Sequence, residues 1–160
     1  RTPGASELVV RSSALRSGRL WDHRSEHVWG FEVIRDTAAA AYAAAGVGPD
    51  DIDVLECHDA FTIGEIVTTE ALGLAPLGEG ARLLHERHTH LGGPQPVNPS
   101  GGLLSRGHPL GATGLAQCSE LTWQLRGEAD ARQVEGAKVA LQHNIGLGGA
   151  AVVSVYRPAA

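Results

Sequence analysis

Apolar and polar positions along the first half of the chain predict a strand, a helix and a second strand. Residues 8–10 form a short run with β propensity. From Trp29 the apolar and small residues recur at steps of three and four, which predicts a helix that ends at Gly46. The repeating positions of this helix are Phe31, Ile34, Ala38, Ala41 and Ala45. The apolar residues within 52–55 then mark a buried strand, which is predicted to end at His58.

The second half of the chain predicts two further helices and a pair of strands. A helix over 62–74 is predicted to open with a capping box, in which Thr62 is the N-cap and Glu65 the reciprocal partner. A helix over 112–127 has a single apolar stripe. The residues of that stripe are Leu115, Cys118, Leu121 and Leu125. Residues 138–157 predict two buried strands around a glycine turn.

The order of these elements predicts one layered α/β domain with a largely parallel sheet and helices on both faces. The 160 residues match the size of one ordinary domain, and they contain no repeat, low-complexity tract or linker. We therefore assign residues 1–160 to one domain. Because the chain begins with Arg1 rather than Met, we expect further N-terminal sequence to precede it.

Composition narrows the class of partner. The net charge is −5 and the thirteen Lys and Arg residues are scattered, which argues against binding to nucleic acid or to an anionic membrane. No apolar run is long enough to span a membrane, and no signal peptide is evident. Two cysteines do not form a disulfide framework, so the sequence favours a cytoplasmic location.

Three segments place polar residues where a strand or glycine loop meets the next element. They are CHDAF at 57–61, GHPLGATG at 107–114 and HNIGLGGA at 143–150. In α/β sheets ligands bind at the carboxyl ends of strands, so we expect these segments to form one pocket.

Each candidate residue in these segments also has a structural interpretation. His108 is either a general base beside close backbone amides or a turn histidine whose glycines serve packing. His58 is either a site residue or a strand-end histidine bonded to local backbone. Asp59 either orients His58 or caps a helix. The glycine pairs at 101–102 and 148–149 are either turn residues or an oxyanion hole of backbone N–H groups.

Metal binding and cysteine catalysis are weakly indicated. Residues 73–96 predict a loop in which His85, His88 and His90 lack a carboxylate or cysteine at ligand spacing, and His23 and His27 lack a third ligand. Cys118 lies on an apolar helix stripe and is predicted to be core. Cys57 precedes His58 on a strand, so its side chain is predicted to point away from the pocket. We predict no metal site and no nucleophile within this chain.

The three motifs together resemble the C-terminal domain of thiolases, most closely the sterol carrier protein or lipid-transfer protein type. The similar segments are HDAF at 58–61, NPSGGLLSRGHPLGATGLAQCSELTWQLRGEA at 98–129 and GAKVALQHNIGLGGAAVV at 136–153. The likeness extends from about Gly30 to Tyr156.

This resemblance implies a five-layered fold of two similar halves, of which the chain is the second, and usually a dimer. It implies coenzyme A thioester substrates, no bound cofactor, and a carbon–carbon bond made or broken next to the thioester carbonyl. His108 would activate a cysteine that belongs to the missing N-terminal half, and His58 would help to bind the enolate oxygen. Gly146, Gly148 and Asn144 would form a second oxyanion hole. We also predict a substrate-binding role for Asp59, Phe61, Ser100, Gly101 and Gly107.

Two positions depart from the thiolase pattern. The acid/base cysteine of many thiolases is replaced by Asn144, and the cysteine of HDCF in the sterol carrier type is replaced by Ala60. Three hypotheses follow: an acyl-CoA acyltransferase of lipid or sterol side-chain metabolism, a retro-aldolase on β-hydroxyacyl-CoA with a zinc-ribbon/OB-fold partner, and a non-catalytic thiolase-like subunit. The acyltransferase ranks first, with the lyase close behind.

Overall fold

A computed structural model of the chain describes residues 7–18, 30–146 and 149–159. These residues form one four-stranded sheet with helices packed against both of its faces. The strands are β1 (Leu8–Ser17), β2 (Val54–Glu56), β3 (Ala140–Gly146) and β4 (Ala150–Pro158). The helices are α1 (Phe31–Ala45), α2 (Thr62–Ala71), α3 (Gly80–His85), α4 (Gly102–Arg106) and α5 (Thr113–Arg126). Short 3-10 turns occupy Pro49–Asp51 and Asp130–Arg132.

The sheet is mixed, and its strand order is β1-β4-β3-β2. β2 and β3 are parallel, whereas β4 is antiparallel to both β3 and β1. The α/β class and the mixed sheet are confirmed, but the expectation of a largely parallel sheet is wrong. The reason is the short connection between β3 and β4, because a tight turn can join only antiparallel neighbours.

Two cores lie on opposite faces of the sheet because successive residues of a strand point to opposite sides. Leu55 and Leu141 pack with α1 in one core, and the preceding residues Val54 and Ala140 pack with α5 in the other. The predicted apolar positions of α1 are buried apart from Phe31, which is partly buried. This helix ends at Gly46, whose φ of 67° lets its N–H bond to Tyr42 O.

The helix ends in the middle of the chain differ from the predicted ones. Phe61, not Thr62, is the N-cap of α2, and no side-chain capping bond is present there, so the predicted capping box is wrong. α3 and α4 lie within stretches expected to be loop, because helices of five or six residues leave too little periodicity to detect.

In α5 the predicted stripe is only partly core. Leu121 and Leu125 are buried and Cys118 is partly buried, but Leu115 is 72% exposed near the start of the helix. None of the helices in the part of the chain described above is long and apolar enough to cross a membrane.

Candidate active site

Two histidines meet beyond the carboxyl end of β2. His58 lies two residues after that strand, and His108 lies in the loop between α4 and α5. Their Nε2 atoms are 3.4 Å apart although 50 residues separate them in sequence. The ring centroids are 4.8 Å apart with an angle of 67° between the ring planes. The structure therefore brings together the two histidines that the sequence singled out.

Both ring nitrogens of His108 have a partner. Nδ1 lies 2.6 Å from Thr113 Oγ1, and this hydroxyl also lies 3.3 Å from Pro109 O. In the tautomer in which Thr113 donates to Pro109 O and accepts from Nδ1 of His108, the lone pair of His108 is on Nε2 and faces Nε2 of His58. This tautomer makes His108 a proton acceptor and His58 an N–H donor.

His58 is held in the neutral form. Its burial is the main factor that lowers its pKa below the ordinary 6.5, and the neighbouring His108 lowers it further, while Asp59 raises it. A neutral imidazole with its proton on Nε2 is a hydrogen-bond donor without a full positive charge. Such a donor suits the stabilisation of an oxyanion as it develops.

Asp59, which lies between β2 and α2, is bonded to the glycine-rich segment around α4. It is 2% exposed, and Oδ1 accepts a hydrogen bond from the backbone N–H of Leu103 in α4 at 2.7 Å. Gly102, with φ 61°, approaches it so closely that an added Cβ would lie 2.2 Å from Oδ2. Asp59 therefore caps α4 from another part of the chain.

The loop from Asn98 to Ser100 is also bonded to the end of β2. Asn98, with φ 50°, accepts a hydrogen bond from the backbone N–H of Cys57 at 2.7 Å through Oδ1. Ser100 donates its backbone N–H and its hydroxyl to the carboxylate of Glu56. These contacts hold the strand end that carries His58 against the loop that leads to His108.

The other predicted substrate-binding residues lie on the segments around this pair. Phe61 is 61% exposed at the start of α2. Gly101 and Gly107 flank α4 with φ values of 93° and 87°, a backbone conformation that favours glycine. Their roles in binding substrate, like those of Asp59 and Ser100, stay predictions.

At the end of β3 a chain of amides sets the orientation of Asn144. Gln117 of α5 donates Nε2 to His143 O at 3.3 Å, so its Oε1 is free to accept from Asn144 Nδ2 at 2.5 Å and from Gln142 Nε2 at 3.2 Å. Asn144 therefore donates its side-chain N–H₂ group to Gln117 on α5, and its acceptor atom Oδ1 points away from Gln117. An amide held in this way does not exchange protons with a substrate.

The glycine turn after β3 lies only partly within the described residues. Gly146 is exposed, and its carbonyl accepts the N–H of Gly149 at 2.8 Å. Gly148, predicted to supply an oxyanion-hole N–H, lies outside the described residues. So do His23 and His27.

Neither cysteine is placed as a nucleophile. Cys57 is completely buried on the α1 side, as the strand alternation predicted, and burial raises its thiol pKa well above the ordinary 9.0. Cys118 packs against the core under α5. Within residues 7–18, 30–146 and 149–159, no group of three or more His, Cys, Asp or Glu side chains is arranged to hold a metal ion.

Sequence reasoning missed three residues that shape the site: Glu56, Thr113 and Gln117. A charged residue inside an otherwise apolar strand pattern was the available signal for Glu56, since a buried carboxylate requires partners. Thr113 and Gln117 gave no such signal, because threonine and glutamine are ordinary at helix positions.

The chain is thus an α/β domain in which two imidazoles meet at the end of a strand. Comparison with known proteins identifies the family: residues 18–157 match the family described as thiolase C-terminal domain-like. The chain belongs to the family of thiolase C-terminal domains.

Several known proteins are similar to this chain. It is 59% identical to sterol carrier protein 2 of Rattus norvegicus, over 96% of this chain and 28% of that protein. It is 47% identical to an acetyl-CoA acetyltransferase of Methanothermobacter thermautotrophicus, over 93% of this chain and 39% of that enzyme. The chain thus spans well under half the length of these relatives. A chain of a solved structure titled Ltp2-ChsH2(DUF35) aldolase shares the fold, with a TM-score of 0.85 at 23% identity, over 96% of this chain and 40% of that one.

Proposed function

We propose that this chain is the histidine-bearing half of a thiolase-family enzyme that makes or breaks a carbon–carbon bond next to a coenzyme A thioester. The observation that supports this most is the histidine pair, in which Nε2 of His58 and Nε2 of His108 lie 3.4 Å apart, so that one ring can donate to the other. A donor beside a base is what thioester chemistry requires, because a proton must be removed while charge develops on the carbonyl oxygen.

Each histidine has a defined task in this proposal. Nε2 of His108 takes the proton of a cysteine thiol supplied by sequence outside this chain, and the thiolate then attacks the thioester carbonyl carbon. Nε2–H of His58 donates a hydrogen bond to the thioester oxygen when the enolate forms. Thr113 keeps the proton of His108 on Nδ1, so that Nε2 remains the base. Backbone N–H groups at Gly146 and Gly148 would bind the oxygen of the tetrahedral intermediate.

The substrate class and partners are part of the same proposal. Similarity to sterol carrier protein 2 and to an acetyl-CoA acetyltransferase supports acyl-CoA substrates of lipid or sterol side-chain metabolism. The chain needs the N-terminal half with the nucleophile, on the same chain or another, and we propose a dimer or hetero-oligomer. Both cysteines are free thiols, which is consistent with a cytoplasmic location.

A second candidate is a retro-aldolase, and the residues at 60 and 144 favour it. Ala60 has no ionisable group, and Asn144 is bonded to Gln117 through its amide. In a retro-aldol step His108 would take the β-hydroxyl proton of a β-hydroxyacyl-CoA. The Cα–Cβ bond breaks, its electron pair becomes the enolate held by His58, and an aldehyde or ketone leaves. The proton on His108 would then return to Cα of the enolate, which gives the shortened acyl-CoA. This step needs no acyl-enzyme, and the enzyme would use a zinc-ribbon/OB-fold partner.

Two substrates distinguish the candidates in the protein that contains this chain. Thiolysis of a β-ketoacyl-CoA with coenzyme A supports the acyltransferase, and release of a carbonyl product from a β-hydroxyacyl-CoA supports the lyase. We expect His108→Ala to lower kcat/KM by about 10²–10⁴ and His58→Ala by about 10²–10³. His85→Ala, a change at an exposed histidine of α3, is the control and should leave both rates unchanged. Turnover of neither substrate would instead support the non-catalytic subunit.

A further inference from the structure

One buried carboxylate joins the two segments that carry the histidine pair. Glu56 is the last residue of β2 and is completely buried. Oε1 accepts the backbone N–H of Ser100 at 3.0 Å, and Oε2 accepts the hydroxyl of Ser100 at 2.8 Å and Nη2 of Arg106 at 3.3 Å. Ser100 precedes α4 and Arg106 is its last residue. One carboxylate, at the end of the strand that precedes His58, therefore binds a residue just before α4 and the last residue of α4, the helix that leads to His108.

The backbone between α4 and His108 is short. Only Gly107 separates Arg106 from His108, and its N–H bonds back to Leu103 O within α4. An added Cβ at Gly107 would meet no atom within 4 Å, so there is open space on that side. Thr113 lies against Nδ1 of the His108 ring. On the chain before His108, α4 is held by Asp59 at the N–H of Leu103 and by Glu56 at Ser100 and Arg106.

We propose that Glu56 is the positioning residue of this site, which holds α4 by both ends so that Nε2 of His108 stays within reach of Nε2 of His58. The proposal rests on the proposed function, because it concerns the same histidine pair. It assigns a task to a charged side chain that touches neither histidine in the structure.

The charge of Glu56 makes this contact dependent on pH. Burial raises its pKa from 4.5 to about 7, while the bonds from Ser100 and the charge of Arg106 lower it and the charge of Glu120 raises it. The charged or titratable groups around it are thus Arg106 on α4, Glu120 on α5 with its partner Arg132, and Cys57 on its own strand. Below pH 7 the carboxyl is mostly protonated, so it loses the negative charge that strengthens the Arg106 bond and one of the acceptor positions that its three bonds use.

Ionisation of Glu56 strengthens its bond to Arg106 but lowers the stability of the whole fold. Because the folded pKa lies above the ordinary 4.5, the stability that Glu56 contributes to the fold is greatest at low pH and is lost as pH rises toward 7. The bond to Arg106, in contrast, is strongest above pH 7, where Glu56 is ionised. Protection of α4 that increases with pH therefore reports the Arg106 contact and not global stability.

Hydrogen–deuterium exchange of the full-length protein tests this without any substrate. The reporter amides are those of Leu103, Ser105 and Gly107, all hydrogen-bonded in or around α4. We expect Glu56→Gln to speed their exchange about tenfold at pH 8, with little change in α5. After correction for intrinsic rates, wild-type protection of these amides should rise from pH 6 to pH 8, and in Glu56→Gln it should stay constant.

A matched control is present in the same core. Glu120 is also buried and also bonded to an arginine, Arg132, and its charge affects Glu56 only by raising the pKa of that carboxyl, so Glu120→Gln should leave the α4 amides unchanged at pH 8, where Glu56 is ionised. Should Glu56→Gln fail to fold, Arg106→Met removes the same bond from the partly exposed side and should give the same local change.

The proposal is overturned if α4 exchange is unaffected, if it rises equally throughout the chain, or if Glu120→Gln has the same effect. Because the readout is independent of turnover, a protein that cleaves neither acyl-CoA substrate can still confirm that Glu56 holds α4. Conversely, an active enzyme with unchanged α4 exchange in Glu56→Gln keeps the proposed function and rejects the role of Glu56.

Discussion

The substitution Gly102→Ala places a methyl group where the carboxylate of Asp59 already lies. The added Cβ would be 2.2 Å from Oδ2 and 2.7 Å from Cγ of Asp59, well inside van der Waals contact. Asp59 is 2% exposed and cannot swing into solvent, so it must give up its bond to the N–H of Leu103. The same change forces alanine to adopt a φ of 61°.

The expected loss follows from these two costs. A non-glycine residue in the left-handed region costs about 1–2 kcal/mol. Loss of a hydrogen bond to a buried charged group costs about 1.5–3 kcal/mol. We therefore expect Gly102→Ala to lower the free energy of unfolding by about 2.5–5 kcal/mol, which corresponds to a drop in Tm of roughly 10 °C.

Two glycines of the same loop separate these costs. At Gly107 an added Cβ meets nothing within 4 Å, but φ is 87° and ψ is 172°, a conformation that essentially only glycine adopts, so Gly107→Ala should lose only the conformational cost of about 1–3 kcal/mol. At Gly111 there is neither a close neighbour nor a left-handed φ, so Gly111→Ala should stay within about 0.5 kcal/mol of wild type.

Thermal unfolding of the full-length protein, followed by circular dichroism, gives the three values under identical conditions. The predicted order of destabilisation is Gly102→Ala, then Gly107→Ala, then Gly111→Ala. Equal losses for the first two variants would refute the reasoning, because they would mean that Asp59 moves aside at no cost.

Two further predictions concern buried polar groups near the site. Asn98→Ala removes the acceptor of the Cys57 N–H and leaves alanine at a φ of 50°, so we expect a loss of about 2–4 kcal/mol in urea or thermal unfolding, and a loss below about 0.5 kcal/mol would contradict the assignment. His143 is completely buried with both ring nitrogens unpartnered among the described residues, and burial lowers its pKa from 6.5 to about 3, with the charge of His58 as the second cause. Stability from this group is complete above pH 6.5 and is lost as pH falls toward 3, because the unfolded chain takes up a proton that the folded chain does not. His143→Leu should therefore reduce the fall in Tm between pH 7 and pH 4 without destabilising the protein at pH 7, and an unchanged pH dependence would exclude His143 as its source.

Local patterns in the sequence predicted the long elements well. α1 follows from its three- and four-residue repeat and its stop at Gly46, and both properties depend only on neighbouring residues. The β3–β4 pair follows from the glycine turn between two apolar runs. The prediction of a largely parallel sheet was wrong because the short β3–β4 connection makes those two strands antiparallel, and because β1, whose neighbour no local pattern indicates, also pairs antiparallel with β4.

The candidate site was predicted in its residues but not in its geometry. His58 and His108 stood out because each lies in a motif with a clear chemical interpretation. Their separation of 3.4 Å depends on contacts that no local pattern records, such as Glu56 with Ser100 and Arg106.

The sequence by itself determined the helices with clear periodicity, the glycines that allow left-handed backbone, and the residue types available for acid/base chemistry. Only the tertiary structure decided which strands pair in which direction, how close His58 and His108 lie, and which buried carboxylates hold α4. The physical reason is that propensity and periodicity act over a few neighbouring residues, whereas pairing direction, side-chain contacts and burial depend on distant groups, such as Ser13 and Ser154, which are 141 residues apart in the chain.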